Sequence, residues 1–303
     1  MTTLTAIGLG YCARQLLAGP HPFTRVIGTG RGADAGGWPQ GVERHVFDGR
    51  SLSPALAAAL AETDILLHSV PPDDAGDPVL DVAGPALAGG RLKQIIYLTT
   101  LGVYGDHDGG WVDETTPPVA TSPRLARRIR AEAALMAFGE RNGITVAALR
   151  LAGIYGPGPG RNPLRQMAEG RPTCIDKPGQ VFNRIHVADI AAAILAVAGQ
   201  GFSGVLNVAD DLPAPSCEPL RFAADLLGLP PPEVVPFEIA RRDMNPMALS
   251  FWASNKRVSN ARLKGLGVAL RYPTYREGLA ALAAAGEGGP RRPQGLDACQ
   301  GRL

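Results

Sequence analysis

A chain of 303 residues, 45% of them hydrophobic, can bury one large core or two modest ones, which excludes a disordered or fibrous protein. A formal net charge of +2 and a pI near 8.4 are too mild to imply a nucleic-acid partner, and the arginines are spread over many segments rather than gathered into one stripe, so a small-molecule ligand is expected. The four cysteines, Cys12, Cys174, Cys217 and Cys299, lie far apart and form no C-x-x-C. Neither a zinc site nor a disulfide framework is therefore predicted, no metal is expected, and a reduced cytoplasmic setting fits. No basic segment leads a long apolar region at the amino terminus, and no later stretch is apolar enough to span a bilayer, so no membrane association is predicted.

Along the chain, short apolar runs alternate with alanine-rich helical stretches. Ala6-Ile7 leads into a helical pattern from Cys12 to Ala18, Arg25 to Gly28 reads as a strand, and Val46-Phe47 precedes a helix from Pro54 to Ala61. Ile65 to His68, Ile95 to Leu98 and Thr145 to Arg150 read as buried strands, with an amphipathic helix from Pro123 to Phe138 between the last two. From Gly153 the texture turns to Gly- and Pro-rich loops, broken by a strand-helix unit from Val181 to Val197 and a strand from Val205 to Val208. Short strand and helix signals follow from Pro232 to Arg242 and from Met244 to Leu266. Such βα alternation requires a parallel sheet with helices on both faces. The predicted fold class is α/β, a doubly wound parallel sheet built from 1–152 with 181–210, and a smaller interleaved α+β domain from 153–180 with 211–285. Residues 286–303 lack periodicity and apolar residues and are predicted to be a flexible tail.

The first strand passes into the first helix through Ile7-Gly8-Leu9-Gly10-Tyr11-Cys12-Ala13, a G-x-G-x-x-A sequence in the strand-to-helix context that gives such a match its meaning. Gly8 permits a tight turn, Gly10 lets the backbone approach a pyrophosphate, and Ala13 allows close helix packing, with the phosphates at the amino end of the helix that begins with Tyr11 and Cys12. This is a Rossmann-type dinucleotide signature; the bland alternative is an accidental glycine turn. The second strand ends Gly28-Thr29-Gly30-Arg31, with no acid to hydrogen-bond a ribose diol. A guanidinium at Arg31 suits a 2′-phosphate, so NADP(H) is predicted over NAD(H); the alternative is a solvent-facing loop arginine.

The strand Gln94-Ile95-Ile96-Tyr97-Leu98 ends in Thr99-Thr100-Leu101-Gly102-Val103-Tyr104-Gly105-Asp106. T-T-x-x-V-Y-G-D resembles the extended branch of the short-chain dehydrogenase/reductase family, the NAD(P)-dependent epimerase/dehydratase-like proteins. The resemblance implies that the hydroxyl of Thr100 hydrogen-bonds the reacting oxygen and that Thr99 lies beside the cofactor; alternatively the two threonines only cap the strand end. The same family carries a Tyr-x-x-x-Lys pair about twenty residues on. Here those positions are Arg124 and Arg128. A guanidinium stays protonated at any physiological pH and cannot take over the phenol's proton transfer, although Arg124 could hold a carboxylate or phosphate through its planar fork. The alternative is a solvated charged face of Arg124, Arg127, Arg128 and Arg130 beside Glu132. By the same resemblance Asp48 contacts the adenine, or else caps the helix that follows, and Ser69-Val70-Pro71 lines the cofactor ribose.

On the substrate side, Leu149-Arg150-Leu151-Ala152-Gly153-Ile154-Tyr155-Gly156-Pro157-Gly158 is similar to the family's L-R-x-x-N-V-Y-G-P-G, with Gly153 replacing the Asn. Arg184-Ile185-His186-Val187-Ala188-Asp189 resembles R-x-I-H-V-x-D, and Lys256-Arg257-Val258-Ser259-Asn260 resembles K-R-x-x-N. The resemblance implies substrate contacts from Gly153, Tyr155, Arg184, His186 and Arg257, with Arg257 reaching an anion. A lone histidine such as His186 is more often a structural side chain than a catalyst, and Asp189 reads as a favourable first-turn charge. The expected protein is an NADP(H)-dependent oxidoreductase or epimerase/dehydratase-like enzyme for a small carbonyl or sugar-nucleotide substrate. Thr100 would polarise the carbonyl, and Tyr104, Arg124 or His186 would position the substrate. Its rival is a non-catalytic NADP(H)-binding redox sensor. By analogy with the family, the helix from Pro123 offers a homodimer interface.

Overall fold

The computed structural model describes residues 2–32, 38–158 and 162–289. Its first half runs β1 (Thr3–Ile7), α1 (Tyr11–Ala18), β2 (Arg25–Gly30), β3 (Val42–Val46), α2 (Pro54–Ala61), β4 (Ile65–His68), α3 (Pro78–Ala88), β5 (Gln94–Thr100), β6 (Trp111–Val112), α4 (Pro123–Asn142) and β7 (Thr145–Leu151). The second half runs β8 (Gly153–Tyr155), α5 (Pro163–Ala168), β9 (Cys174–Asp176), β10 (Arg184–His186), α6 (Val187–Gln200), β11 (Gly204–Val208), α7 (Glu218–Leu227), β12 (Val234–Pro236), α8 (Phe237–Ala240), α9 (Pro246–Trp252), β13 (Arg257–Val258), α10 (Ala261–Gly265) and α11 (Tyr275–Ala284).

Seven parallel strands form one sheet in the order β11-β7-β5-β4-β1-β2-β3. The order reverses direction at β1, which opens the crevice at its carboxyl end where α/β proteins bind ligands. Alternating side chains of β5 feed two cores: Ile96 and Leu98 join α1 and α6 on one face, while Ile95 and Tyr97 join α2, α3 and α4 on the other. The sequence reading contains no helix over 78–88. Gly84 and Pro85 lie inside α3, and Pro85 interrupts the helical signal while Asp77 caps the start by accepting from the amides of Val79 and Leu80.

A third apolar cluster is built by Tyr155, Leu164 and Met167 with Leu220, Tyr275 and Leu279, from α5, α7 and α11. Val258, Leu263 and Val268, placed by sequence in the smaller domain, instead bury their side chains in the core beside α6 and β11. The expectation of no disulfide is corrected: Cys174 and Cys217 are joined, with Cα atoms 4.7 Å apart across a separation of 43 residues. Sequence distance hid a contact that the fold creates by bringing the residue before α7 to the start of β9, and the cysteine pattern no longer argues for a reducing compartment. The described part of the expected tail is held too, because the Glu287 carboxylate pairs with Arg165 and accepts from Asn162 Nδ2 and Gly158 N, each at 3.2 Å. Residues 290–303 lie outside the described residues, as does Cys299. No described helix is long and apolar enough to cross a membrane.

One buried ion pair fastens α4 to the sheet. Glu132 on α4 meets Arg150 on β7 at 2.8 Å, and its other oxygen accepts from the Thr99 hydroxyl of β5 at 2.9 Å. The Arg150 guanidinium lies 4.7 Å from the ring centre of Tyr104, whose hydroxyl donates to Asn207 Oδ1 at 2.7 Å. Removing one member strands a charge in the interior, so Glu132→Ala is expected to lower stability by about 3–5 kcal/mol in urea denaturation.

Candidate active site

At the end of β1 the chain turns through Gly8 at φ +85°, a backbone state that disfavours side chains. A Cβ there would stand 2.7 Å from Ser69 Oγ. The Gly8 amide donates to Thr29 Oγ1 at 3.0 Å and its carbonyl accepts from Ser69 Oγ at 2.5 Å, so β1, β2 and the end of β4 grip the bend from both sides. Gly10 then opens α1 with no capping side chain, which leaves the helix's positive end facing a groove of about 610 Å³. Gly8, Gly10, Arg31, Asp48, Ser69, Val70 and Pro71 all line this groove. So does Arg50, which the sequence reading missed because it follows an apparent helix cap. Asp48 accepts from the amides of Arg50 and Ser51, and those bonds hold its carboxyl below the usual range.

Other expected cofactor residues take structural places. The Tyr11 hydroxyl donates to Pro157 O at 2.8 Å, tying α1 to the loop after β8. Cys12 and Ala13 are buried in the core, and Thr99 turns its hydroxyl to Glu132.

At the carboxyl end of β5, Thr100 Oγ1 accepts from Gly102 N at 3.1 Å. That bond occupies an acceptor lone pair and leaves the hydroxyl hydrogen available to a ligand oxygen. Tyr104 is wholly buried, and burial pushes its phenol up. Arg128 Nη1 donates to Tyr97 Oη at 3.1 Å and to Leu98 O at 3.2 Å. Both are thereby turned to holding the strand. Arg124, one helical turn earlier, reaches a cavity of about 90 Å³ instead, with its guanidinium 5.6 Å from the Phe251 ring centre. Burial, and then the charge of Arg128, lowers its pKa, but a guanidinium remains cationic.

The same cavity is lined by Lys256, a residue the sequence reading passed over for its neighbour. Lys256 is 6% exposed; its Nζ donates to Gly105 O at 2.7 Å and to Ser254 Oγ. Burial draws its ammonium down to about 8, against the attraction of Asp106. Arg257 donates to the carbonyl of Gly109. Successive residues of an extended segment face opposite ways, so only one of the two could reach the cavity, and the motif does not say which.

Gly153, Tyr155 and Arg184 border a neighbouring cleft of about 490 Å³, which shares Phe182 with the cavity. Tyr155 donates to Thr274 O at 3.2 Å, and burial raises its pKa. The Arg184 guanidinium donates to the carbonyls of Phe182, Ala214 and Pro215 at 3.0–3.1 Å, with burial lowering its pKa. His186 Nδ1 accepts from Ala188 N as the cap of α6, and burial followed by the charge of Arg271 depresses its imidazole to about 4. Asp189 accepts from the amides of Arg271 and Tyr272. No group of three or more His, Cys, Asp or Glu among the described residues could hold a metal ion.

A reversing parallel sheet, a gripped glycine bend at its switch point and polar side chains at the carboxyl edge define an α/β protein of the dinucleotide-binding type. Residues 78–209 match the model of the NAD dependent epimerase/dehydratase family. It is similar to a conserved protein of unknown function from Silicibacter pomeroyi DSS, with 42% identity and a TM-score of 0.81 over 95% of this chain and 100% of that one. A protein of Methylobacillus flagellatus assigned as an NAD-dependent epimerase/dehydratase is 29% identical, with a TM-score of 0.66 over 94% and 98% of the two chains. A 3-diazoavenalumate denitrifying reductase of a Streptomyces species is 31% identical over 176 residues, 55% of this chain and 58% of that protein. The chain thus spans less than two thirds of the length of the curated relatives it matches.

Asp210, beside Arg184, is buried with one carboxylate oxygen lacking any hydrogen-bond partner among the described residues, and burial pushes it up to about 8. Its raised folded pKa means that the stability its neutral form contributes is complete below about pH 4 and is lost as pH rises through about 8. Asp210→Asn stays neutral. Urea denaturation of both proteins should show the variant's stability relative to the parent rising by about 1 kcal/mol per pH unit between pH 5 and 8; a constant difference would contradict the buried neutral acid.

Proposed function

We propose that the protein binds NADP(H) along the groove at Gly8 and acts as an oxidoreductase or epimerase/dehydratase-like enzyme on a small carbonyl or sugar-nucleotide substrate. The observation that carries this reading is the bared glycine bend at the positive end of α1, in a groove that also holds Arg31 and Arg50. The residues present fit a dinucleotide: a Cβ at position 8 would meet Ser69, so backbone alone faces the pyrophosphate path. Arg31 and Arg50 suit a 2′-phosphate, and they balance the two carboxylates, Asp48 and Asp73, that line the same groove.

When bound, the nicotinamide supplies or accepts the hydride. Thr100 donates its remaining hydrogen to the substrate oxygen and so polarises the carbonyl. Arg124 positions the substrate from the cavity wall, while Arg128 and Tyr104 keep the strand end and its turn in place. The relative named as a reductase supports reduction over epimerisation. The rival reading, a redox sensor without turnover, draws on the arginines at positions 124 and 128, neither of which can pass a proton.

Fluorescence titration with NADPH and NADH tests the cofactor. NADPH should bind at least about tenfold more tightly, and Arg31→Ala should erase most of that difference while leaving NADH binding unchanged; tighter binding of NADH overturns the preference. Oxidation of NADPH with a carbonyl panel tests the reaction. Thr100→Ala should lower kcat by about a hundredfold, whereas tight NADPH binding with no turnover by the parent protein would select the sensor.

A further inference from the structure

We propose that the cavity between α4 and α9 is a carboxylate subsite, and that the substrate is a small carbonyl compound whose carboxylate is carried on an apolar, ring-sized body. The proposal rests on the enzymatic reading for the reaction but not for the binding. Arg124 and Lys256 both line this cavity, and no carboxylate among the described residues lies within ion-pairing distance of either. Arg127, on the same helix as Arg124, does find an acid, pairing with Asp74 at 3.0 Å. Asp106, the acid whose charge reaches Lys256, has an oxygen engaged by the amide of Asn255 at 2.6 Å. Two cations withdrawn from water around one hole, with their counter-charge missing, are a site for an anion from outside.

The walls decide which anion. Leu101, Leu125, Phe182 and Phe251 contribute apolar surface, and beyond the two cations the polar side chains are Asn183, Ser250 and Ser254. A planar carboxylate has two oxygens, matched by the fork of Arg124 and the ammonium of Lys256. A phosphate dianion brings a third oxygen and a heavier hydration shell into a largely apolar wall. At about 90 Å³ the cavity takes the charged end of a molecule and little more, well below the roughly 300 Å³ at which pockets enclose drug-sized ligands. A nucleoside diphosphate does not fit it.

The rim says what the rest of the ligand is. The Phe251 ring, 51% exposed, covers the Arg124 guanidinium, and Met247, 61% exposed, lies one turn earlier on α9. Val119, also exposed, packs against Gly105, whose carbonyl holds Lys256. An exposed aromatic ring in the wall of a charged hole favours an amphiphilic anion, with its ring against Phe251. Gly102 lies in the cavity wall and its amide donates to Thr100 Oγ1. The charged end and the reacting carbonyl of one small molecule are therefore served by adjacent parts of the same turn.

The experiment uses 4-formylbenzoate as probe, with methyl 4-formylbenzoate and inorganic phosphate as the other arms. Each is titrated by calorimetry into the full-length protein, with and without saturating NADPH. The acid should bind at least tenfold more tightly than its ester. Arg124→Gln should abolish that difference without weakening the ester, and Arg127→Gln should preserve it. Apart from its contact with Phe251, Arg124 makes no hydrogen bond or ion pair among the described residues, and an unchanged melting curve checks that the variant folds. Phe251→Ala should weaken acid and ester alike. Equal affinity for acid and ester, an undiminished preference in Arg124→Gln, or phosphate binding more tightly than the acid would each overturn the proposal. Failure of NADPH to bind in the groove, with the acid preference intact, would strike the cofactor reading and leave this subsite standing.

Discussion

The buried pair of Glu132 and Arg150 is the interaction on which the carboxyl edge of the sheet depends. Neither charge has water to return to, so each stays where the other is, and the Thr99 hydroxyl completes the carboxylate's bonding. Because Glu132 sits on α4, Arg150 on β7 and Thr99 on β5, a single carboxylate fixes a helix against two strands. Arg124, Arg128 and Glu132 recur at four-residue spacing, hence along one stripe of that helix facing the end of β5. Glu132 fastens the stripe, Arg128 spends its donors on Leu98 O and Tyr97 Oη, and Arg124 is left over the cavity. Three charged residues at one helical spacing thus have different tasks, set by how far along β5 each falls.

The legible features were those whose cause is local. The glycine bend could be read because a positive φ and a close approach to Ser69 admit only glycine, and β5 because an uninterrupted β-branched run must be buried on both faces. What escaped reading depends on segments far apart in the chain. Cys174 and Cys217 meet although 43 residues separate them, because the fold brings the residue before α7 to the start of β9. Arg184 and Arg257 look like anion ligands in isolation, yet backbone carbonyls of Ala214 and Gly109 take up their guanidinium groups. Lys256, the residue before β13, emerged only once the fold placed it in the cavity wall. The helix α3 was masked by a proline that its strong Asp77 cap tolerates.

The two neighbouring clefts that share Phe182 treat charge differently, and that contrast bears on chemistry. Around Tyr155, Arg184, His186 and Asp210, burial drives ionisable groups toward their neutral forms: His186 sits at about 4 and Asp210 at about 8, so both are uncharged between those values. That layer behaves as polar core. At the cavity between α4 and α9, burial cannot neutralise Arg124, whose proton is held too firmly, and Lys256 keeps its charge up to about pH 8.

A guanidinium at position 124 therefore fixes the sign of the charge in the cavity. A tyrosine would contribute no charge at neutral pH, whereas an arginine makes the electrostatic potential of the cavity permanently positive. Lys256, reaching the cavity from the segment after α9, adds to that potential instead of lowering it. Such a site selects by charge before it selects by shape. On the proposed enzymatic reading, the chemistry falls to what the strand end still offers, the Thr100 hydroxyl with one acceptor position filled by Gly102.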